Sequence, residues 1–257
     1  MSASRKPPIL LLHGVFGSPE LIGPWARFLR ESGYDVHVPA FPGRDPSDDD
    51  VLEHTGVAEC IAVALRAYDQ IGEPAIVIGH SFGGLVAQKV AAARDCVAVV
   101  LLAAVPPGVL WPQLRSLPHL FPVLPAILAG RAFRPSASTM RAVPLRTLPT
   151  AEQEALIPRL VRDSGRVFRT MSLGSPIMRV KAAAVTCPVL VLVAGADRNV
   201  APWMSRRLAA RYGAERHDHP GLPHWIIAES ALPRVGPPTL AWLQRVAPGR
   251  SGPAADE

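Results

Sequence analysis

Residues 75–85 read AIVIGHSFGGL, and this stretch decides the fold. The apolar run 75–78 is typical of a strand buried on both faces, and residues 82–93 have the length and composition of a helix. Between them lies the pentapeptide GHSFG at 79–83. A Gly-x-Ser-x-Gly pattern alone is a weak signal, but a strand before it and a helix after it are its confirming context. The stretch predicts a serine, Ser81, held at a sharp strand-to-helix turn.

The two glycines around Ser81 have a physical reason. A serine in so tight a turn has a strained backbone, and the chain crowds the positions two residues before and after it. Gly79 and Gly83 leave room there. The hydroxyl then projects above the sheet at a helix N-terminus, where a developing negative charge is stabilised. Ser81 is therefore the candidate nucleophile, with a plain glycine-rich turn as the alternative.

Short apolar runs alternate with amphipathic stretches along most of the chain. Strands are predicted at 9–12, 34–38, 75–78, 97–105, 189–194 and 214–218, and helices at 20–32, 51–70, 82–93, 202–212 and 232–246. A break in the last helix at Pro237 and Pro238 stays open. This alternation predicts an α/β protein whose parallel sheet is covered by helices on both faces.

Residues 106–186 interrupt this alternation. They hold 11 of the 28 prolines and no run typical of a sheet strand. A helix is predicted from Ala151, with Thr150 and Gln153 as a capping box, and another at 166–173. The expected organisation is a core formed by 1–105 and 187–247, a helical insertion at 106–186 and a disordered tail at 248–257.

The composition is that of a globular protein, with 49% apolar and 19% charged side chains among 257 residues. The 27 basic and 21 acidic residues give a net charge of +6. No basic run or recognition motif accompanies that charge, so we expect no nucleic-acid partner. The insertion has 11 basic and 3 acidic residues, a net of +8, which leaves −2 for the rest. That surplus indicates either a positive field at a pocket entrance or a solvated outer face.

Three cysteines, Cys60, Cys96 and Cys187, are an odd number without a metal-ligand spacing. They indicate free thiols in a reducing compartment, which favours a cytoplasmic location. The apolar run 9–12 is too short for a signal peptide. Prolines interrupt the longest uncharged stretch, 96–114, so we expect no transmembrane segment. Neither a metal-ligand cluster nor a Walker-type phosphate loop occurs in the sequence.

With its GHSFG stretch, the chain resembles the α/β-hydrolase superfamily, and within it the serine esterases and lipase-like members. The resemblance covers residues 8–247, with the insertion as the family's variable helical cap. It implies a mostly parallel sheet of about six strands flanked by helices, because too few residues precede the first strand for two further family strands. The implied spatial order is second, first, third, fourth, fifth and sixth strand of this chain.

The resemblance also implies an acid after a later strand. Asp197 follows the strand at 189–194, where a carboxylate lies at the carboxyl edge of a parallel sheet. Some family members carry the acid one strand earlier, but here the strand at 97–105 is followed by two prolines and no acid. The alternative for Asp197 is a solvated loop residue or the cap of the helix at 202–212.

The family places its histidine after the last strand. His224, in PGLPH at 220–224, has the family's Gly-x-x-His spacing, although His217 and His219 lie near enough to compete. His80 resembles the residue that the family commonly has before its nucleophile, and it supports the turn rather than proton transfer.

The segment HGVFG at 13–17 resembles the family's HGxxG loop. The implied oxyanion hole consists of the backbone N–H groups of Val15 and Phe82, and a strand-ending turn is the alternative. The implied activity is hydrolysis of a carboxylic ester through a covalent acyl-serine, with His224 as the base and Asp197 orienting it. The resemblance implies no metal and no organic cofactor.

Apolar residues recur through 110–124. This pattern predicts either that the insertion packs onto the core or that these residues form a pocket for a hydrophobic or acyl-chain ester. The expected partner is a small-molecule ester or thioester, anionic or amphiphilic if the charge of the insertion contributes. A thioesterase or acyltransferase, a cofactor-free perhydrolase, and a lyase or cyclase of a biosynthetic pathway stay open on the same triad. A non-enzymatic binding module is disfavoured, since it has no need of all three groups. The sequence does not indicate an oligomeric state.

Overall fold

The computed structural model describes residues 5–44 and 49–249. The strands are β1 (Ile9–Leu12), β2 (Val36–His37), β3 (Ile76–His80), β4 (Ala98–Leu102), β5 (Ala132–Phe133), β6 (Asp163–Ser164), β7 (Val189–Ala194) and β8 (Glu215–His219). The helices are α1 (Gly23–Glu31), α2 (Asp49–His54), α3 (Val57–Ile71), α4 (Phe82–Ala93), α5 (Leu117–Leu120), α6 (Leu124–Ala129), α7 (Ala137–Ala142), α8 (Thr150–Leu156), α9 (Gly165–Leu173), α10 (Pro202–Tyr212) and α11 (Leu232–Val246).

The main sheet has six strands in the order β2-β1-β3-β4-β7-β8. Every neighbouring pair is parallel. The predicted sheet and its strand order are therefore confirmed. Because all strands run the same way, their carboxyl ends meet at one edge, and the loops that follow β1, β3, β7 and β8 lie together there.

Helices cover both faces of the sheet, and the side chains of each strand alternate between two cores. In β1, Ile9 and Leu11 belong to one core, and Leu10 and Leu12 belong to the other. All four are fully buried. A strand buried on both faces needs apolar residues at every position, which explains its continuous apolar sequence.

The insertion contains five short helices, α5 to α9, and a separate antiparallel pair, β5 and β6. This pair does not join the main sheet. The predicted capping box is wrong, because α8 begins at Thr150 with Pro149 before it, and Thr150 accepts no capping hydrogen bond. Gln153 instead donates from Nε2 to the Leu148 carbonyl oxygen at 2.9 Å.

The single helix predicted at 51–70 is two helices, α2 and α3. The helix is interrupted at Thr55 and Gly56. There the Thr55 hydroxyl donates to the Val51 carbonyl oxygen at 2.7 Å. The new helix begins where the Glu59 carboxylate accepts a hydrogen bond from the Gly56 N–H at 2.8 Å. Side-chain capping at this glycine outweighs the continuous apolar spacing that predicted one helix.

Helix α11 continues through Pro237 and Pro238 without a break. Its buried face, which includes Val235, Trp242 and Leu243, belongs to the core. This packing outweighs the poor helix propensity of the two prolines.

The three cysteines are free, and Cys60 and Cys96 are buried while Cys187 is partly buried. Burial raises the pKa of the Cys60 and Cys96 thiols to about 12. Within the described residues, no helix has the length and apolar character that crossing a membrane requires. The tail predicted to be disordered lies, from residue 250 onward, outside the described residues.

Candidate active site

Ser81 occupies the turn between β3 and α4 with φ 54° and ψ −121°. Residues other than glycine rarely adopt this backbone conformation. In this turn, other backbone segments lie very close to the residues two positions before and two positions after Ser81. A Cβ atom at Gly79 would lie 2.2 Å from the Gly83 carbonyl oxygen, and one at Gly83 would lie 2.3 Å from the His13 carbonyl oxygen. Both positions therefore require glycine.

The structure brings Ser81, His224 and Asp197 together from three separate loops. His224 Nε2 lies 2.7 Å from Ser81 Oγ, and His224 Nδ1 lies 2.7 Å from Asp197 Oδ2. All three residues are buried. The carboxylate accepts the hydrogen bond from Nδ1–H, so Nε2 is left as the acceptor for the serine hydroxyl.

The Asp197 carboxylate is fixed by its own loop. Its Oδ1 accepts hydrogen bonds from the backbone N–H groups of Asn199 at 2.6 Å and Val200 at 2.9 Å. The insertion reaches the same loop, where Gln113 Nε2 donates to the Asp197 carbonyl oxygen at 3.0 Å. With Oδ1 occupied, Oδ2 is held toward the imidazole.

His80 positions the loop that carries His224. His80 Nε2 lies 2.9 Å from the His224 carbonyl oxygen and donates to it. Burial, followed by the nearby His224, lowers the pKa of His80 to about 3. The ring is therefore neutral near pH 7.

The two competing histidines lie on β8, away from this arrangement. His217 Nε2 contacts Glu215 at 3.0 Å. Burial lowers the pKa of His219. Among the described residues, neither makes a hydrogen bond with Ser81 or Asp197.

The loop at 13–17 lies against the serine turn. His13 is buried, donates from Nδ1 to the Gly14 carbonyl oxygen at 2.9 Å and accepts from the Phe41 N–H at Nε2. Burial first, then Arg44, lowers its pKa to about 3, so the ring is neutral. The backbone N–H groups of Val15 and Phe82 have no acceptor within the described part of the chain. They are free to bind a ligand oxygen.

Asp163 of the insertion is a residue that the sequence reasoning missed. Its Oδ2 accepts hydrogen bonds from the Phe16 N–H and from Arg44 Nη1, both at 2.8 Å. Both charged side chains are almost completely buried. Phe16 has φ 57°, which is unfavourable for so bulky a residue. The buried carboxylate thus holds the HGVFG loop in this conformation. The one signal in the sequence was an isolated acid among the many arginines of the insertion.

Asp163→Asn should lower the free energy of unfolding by about 3–5 kcal/mol, because it leaves the Arg44 charge buried without a counter-charge. Denaturant unfolding of the purified protein measures this. Asp69→Asn is the matched control, since it removes the exposed pair with Arg94 and should have a much smaller effect. Equal effects of the two substitutions would contradict a structural role for the buried pair.

A cavity of about 110 Å³ lies beside the site, with Val15 and His224 in its wall. Its apolar wall comes mostly from the insertion and includes Leu110, Leu120, Val123, Ile127, Met140 and Val143. Phe16 also lines it, with its ring centroid 5.5 Å from Phe133 and 5.1 Å from Phe168. The arrangement offers a serine hydroxyl in contact with an imidazole, two N–H groups without an acceptor among the described residues, and an apolar cavity.

Comparison with known proteins identifies the family and the fold. The model of the alpha/beta hydrolase family matches residues 9–235. The chain has no significant match among the curated proteins. Among solved structures it is similar to an extracellular alpha/beta-hydrolase from a Paenibacillus species, described as sharing structural and functional homology with tobacco salicylic acid binding protein 2. The identity is 19%, the TM-score is 0.70, and the match covers 95% of this chain and 100% of that one.

Two further similar structures have comparable coverage. A monoacylglycerol lipase from Paleococcus ferrophilus is 23% identical, with a TM-score of 0.70 and coverage of 95% of this chain and 98% of the lipase. A methylesterase from Arabidopsis is 14% identical, with a TM-score of 0.66 and coverage of 93% and 98%.

Proposed function

Because the chain belongs to the alpha/beta hydrolase family, we propose that it is a serine hydrolase that cleaves a carboxylic ester through a covalent acyl-serine intermediate. The observation that carries this proposal is the continuous hydrogen-bonded chain from Asp197 through His224 to Ser81. Neither the family nor the fold alone specifies a reaction, but this chain of contacts is the arrangement that activates a serine hydroxyl.

In the proposed mechanism, Ser81 Oγ attacks the ester carbonyl carbon while His224 Nε2 takes its proton. Asp197 stabilises the resulting imidazolium and holds its orientation. The oxygen of the tetrahedral intermediate binds the N–H groups of Val15 and Phe82, and one such donor contributes about 3–4 kcal/mol.

Collapse of the intermediate expels the alcohol, which receives the proton from His224. Water, deprotonated by His224, then attacks the acyl-serine, His224 returns that proton to Ser81 Oγ as the bond to the acyl group breaks, and the acid product leaves. The proposal requires no metal or organic cofactor.

The cavity supports a small, largely hydrophobic ester as the substrate, with residues 106–186 acting as a helical cap. The 11 basic residues of this cap do not line the cavity, and all except Arg169 are exposed. Their charge therefore agrees with a solvated outer face, and an anionic substrate needs a different argument. We include a cytoplasmic location in the proposal, supported by the three free thiols, although the Paenibacillus relative is described as extracellular.

A panel of esters and matched thioesters of straight-chain acids, from two to twelve carbons, tests the proposal. We expect hydrolysis of the shorter esters, because the cavity is small, and no turnover above background by Ser81→Ala. Failure to hydrolyse any ester would overturn ester hydrolysis. Faster turnover of every thioester, or acyl transfer to an added alcohol in preference to water, would favour a thioesterase or an acyltransferase.

A further inference from the structure

Among the described residues that line the cavity beside His224, one is an arginine, Arg198. This arginine directly follows Asp197 and belongs to the core rather than to the insertion. Its Nη1 donates to the Ala142 carbonyl oxygen at 3.2 Å. Its Nε is buried and has no hydrogen-bond partner among the described residues. The part of the chain that the structure describes shows no ion pair between Arg198 and an acid.

Two other buried polar atoms without a partner belong to residues that line the same cavity. They are Asn199 Oδ1 and Trp225 Nε1. Buried polar groups in native proteins are nearly always hydrogen-bonded, so each exception needs an explanation. Three of the residues that line this cavity carry such an atom, and a group bound in the cavity would supply partners for them.

The positive charges around Arg198 favour an anion as the group that binds in the cavity. Arg115 and Arg146 are exposed and positive nearby, and they lower the pKa of Arg198 after the larger effect of burial. A guanidinium and an indole N–H both donate hydrogen bonds, and the side-chain amide of Asn199 also donates when its oxygen and nitrogen positions are exchanged. A planar guanidinium matches a carboxylate in particular, because the two can form paired hydrogen bonds.

We propose that the cavity binds an ester that carries a second, ionised carboxylate, and that Arg198 binds this carboxylate. The inference rests on the proposed ester hydrolysis. A volume of about 110 Å³ restricts the spacer between the two groups to a few carbons. The apolar wall contributed by the insertion contacts that spacer.

Two substrate pairs of equal size test the inference. Ethyl hydrogen glutarate is compared with its neutral amide, ethyl 4-carbamoylbutanoate, to place the carboxylate on the acyl side. Then 3-carboxyphenyl pentanoate is compared with 3-carbamoylphenyl pentanoate, to place it on the alcohol side. We expect kcat/KM for the acid to exceed that for the amide by about 10-fold or more in one pair, the scale of one charged hydrogen bond.

Arg198→Gln should lower that acid-to-amide ratio by about 10-fold to 100-fold. The ratio cancels any general disturbance of the neighbouring Asp197. Arg66→Gln is the control, because it makes the same charge change at an exposed position on α3, and it should move the ratio by less than about 3-fold. Arg198→Lys should restore only part of the ratio, since an ammonium lacks the planar donor pair. A ratio near one in both pairs, or equal effects of Arg198→Gln and Arg66→Gln, would overturn the inference.

Binding to Ser81→Ala separates this inference from the proposed function. Titration calorimetry should show tighter binding of the favoured acid than of its amide, and the double variant Ser81→Ala/Arg198→Gln should lose the difference. If the parent hydrolyses no ester and this difference persists, the hydrolase proposal fails and the carboxylate site stands. If esters are hydrolysed but Ser81→Ala binds acid and amide equally, only the carboxylate site fails.

Discussion

Ser81→Ala should lower kcat for the best ester by about 10⁴-fold to 10⁶-fold, because it removes the nucleophile whose proton His224 accepts. The remaining rate would come from binding and from the two N–H donors. Steady-state kinetics with product detection measures the loss, and circular dichroism checks that the fold is retained. A variant with more than about a tenth of the parent kcat would contradict a covalent role for Ser81.

A fluorophosphonate probe gives a direct readout of the same prediction. It should label Ser81 and neither Ser172 nor Ser175. Ser172 is an informative internal control, since it lines the same cavity but has no histidine partner among the described residues. If the adduct maps to Ser172, the assignment of Ser81 as the nucleophile is contradicted.

Asp197→Asn should lower kcat by about 10⁴-fold while the protein stays folded. The amide can still accept hydrogen bonds from the Asn199 and Val200 N–H groups through its oxygen. Its NH₂ group would then face His224 Nδ1 and donate to it. The imidazole would carry its proton on Nε2, where it can no longer accept the proton of Ser81.

Histidine variants provide the matched comparison for this prediction. His224→Ala should be as damaging as Asp197→Asn, whereas His217→Ala and His219→Ala should each leave kcat within about 10-fold of the parent. All four proteins are compared at the same pH after their unfolding curves are shown to match. Equal losses in His219→Ala and His224→Ala would mean that the base is misassigned.

The sequence predicted the sheet well because its strands are buried on both faces. Short, continuous apolar runs such as 189–194 are then predicted as strands. The resemblance to the family implied the spatial order of these strands in the sheet. Two of the predicted site residues also have glycines at characteristic distances in the sequence. Ser81 follows from its glycines, and His224 follows from the glycine three residues before it.

Features that depend on distant contacts could not be predicted in this way. The continuity of α11 depends on core packing. The break before α3 is different, because it rests on a local contact between Glu59 and the Gly56 N–H that the apolar spacing of 51–70 concealed. Asp163 contacts Phe16 across 147 residues of chain. No local pattern marks that contact. The position of Arg198 beside the cavity could not be predicted either, because residues of the insertion form much of the wall of that cavity.

The insertion is hydrogen-bonded to three of the four loops that form the site, all except the turn that carries Ser81. Gln113 contacts the acid loop, Asp163 contacts the loop after β1, and the Pro144 carbonyl oxygen accepts from the N–H of Trp225, next to the histidine. An exchange of this segment for that of a relative would therefore disturb all three loops at once. Grafted chimeras should therefore need compensating changes in the core, whereas single substitutions inside the segment that spare Gln113, Pro144 and Asp163 keep these three contacts.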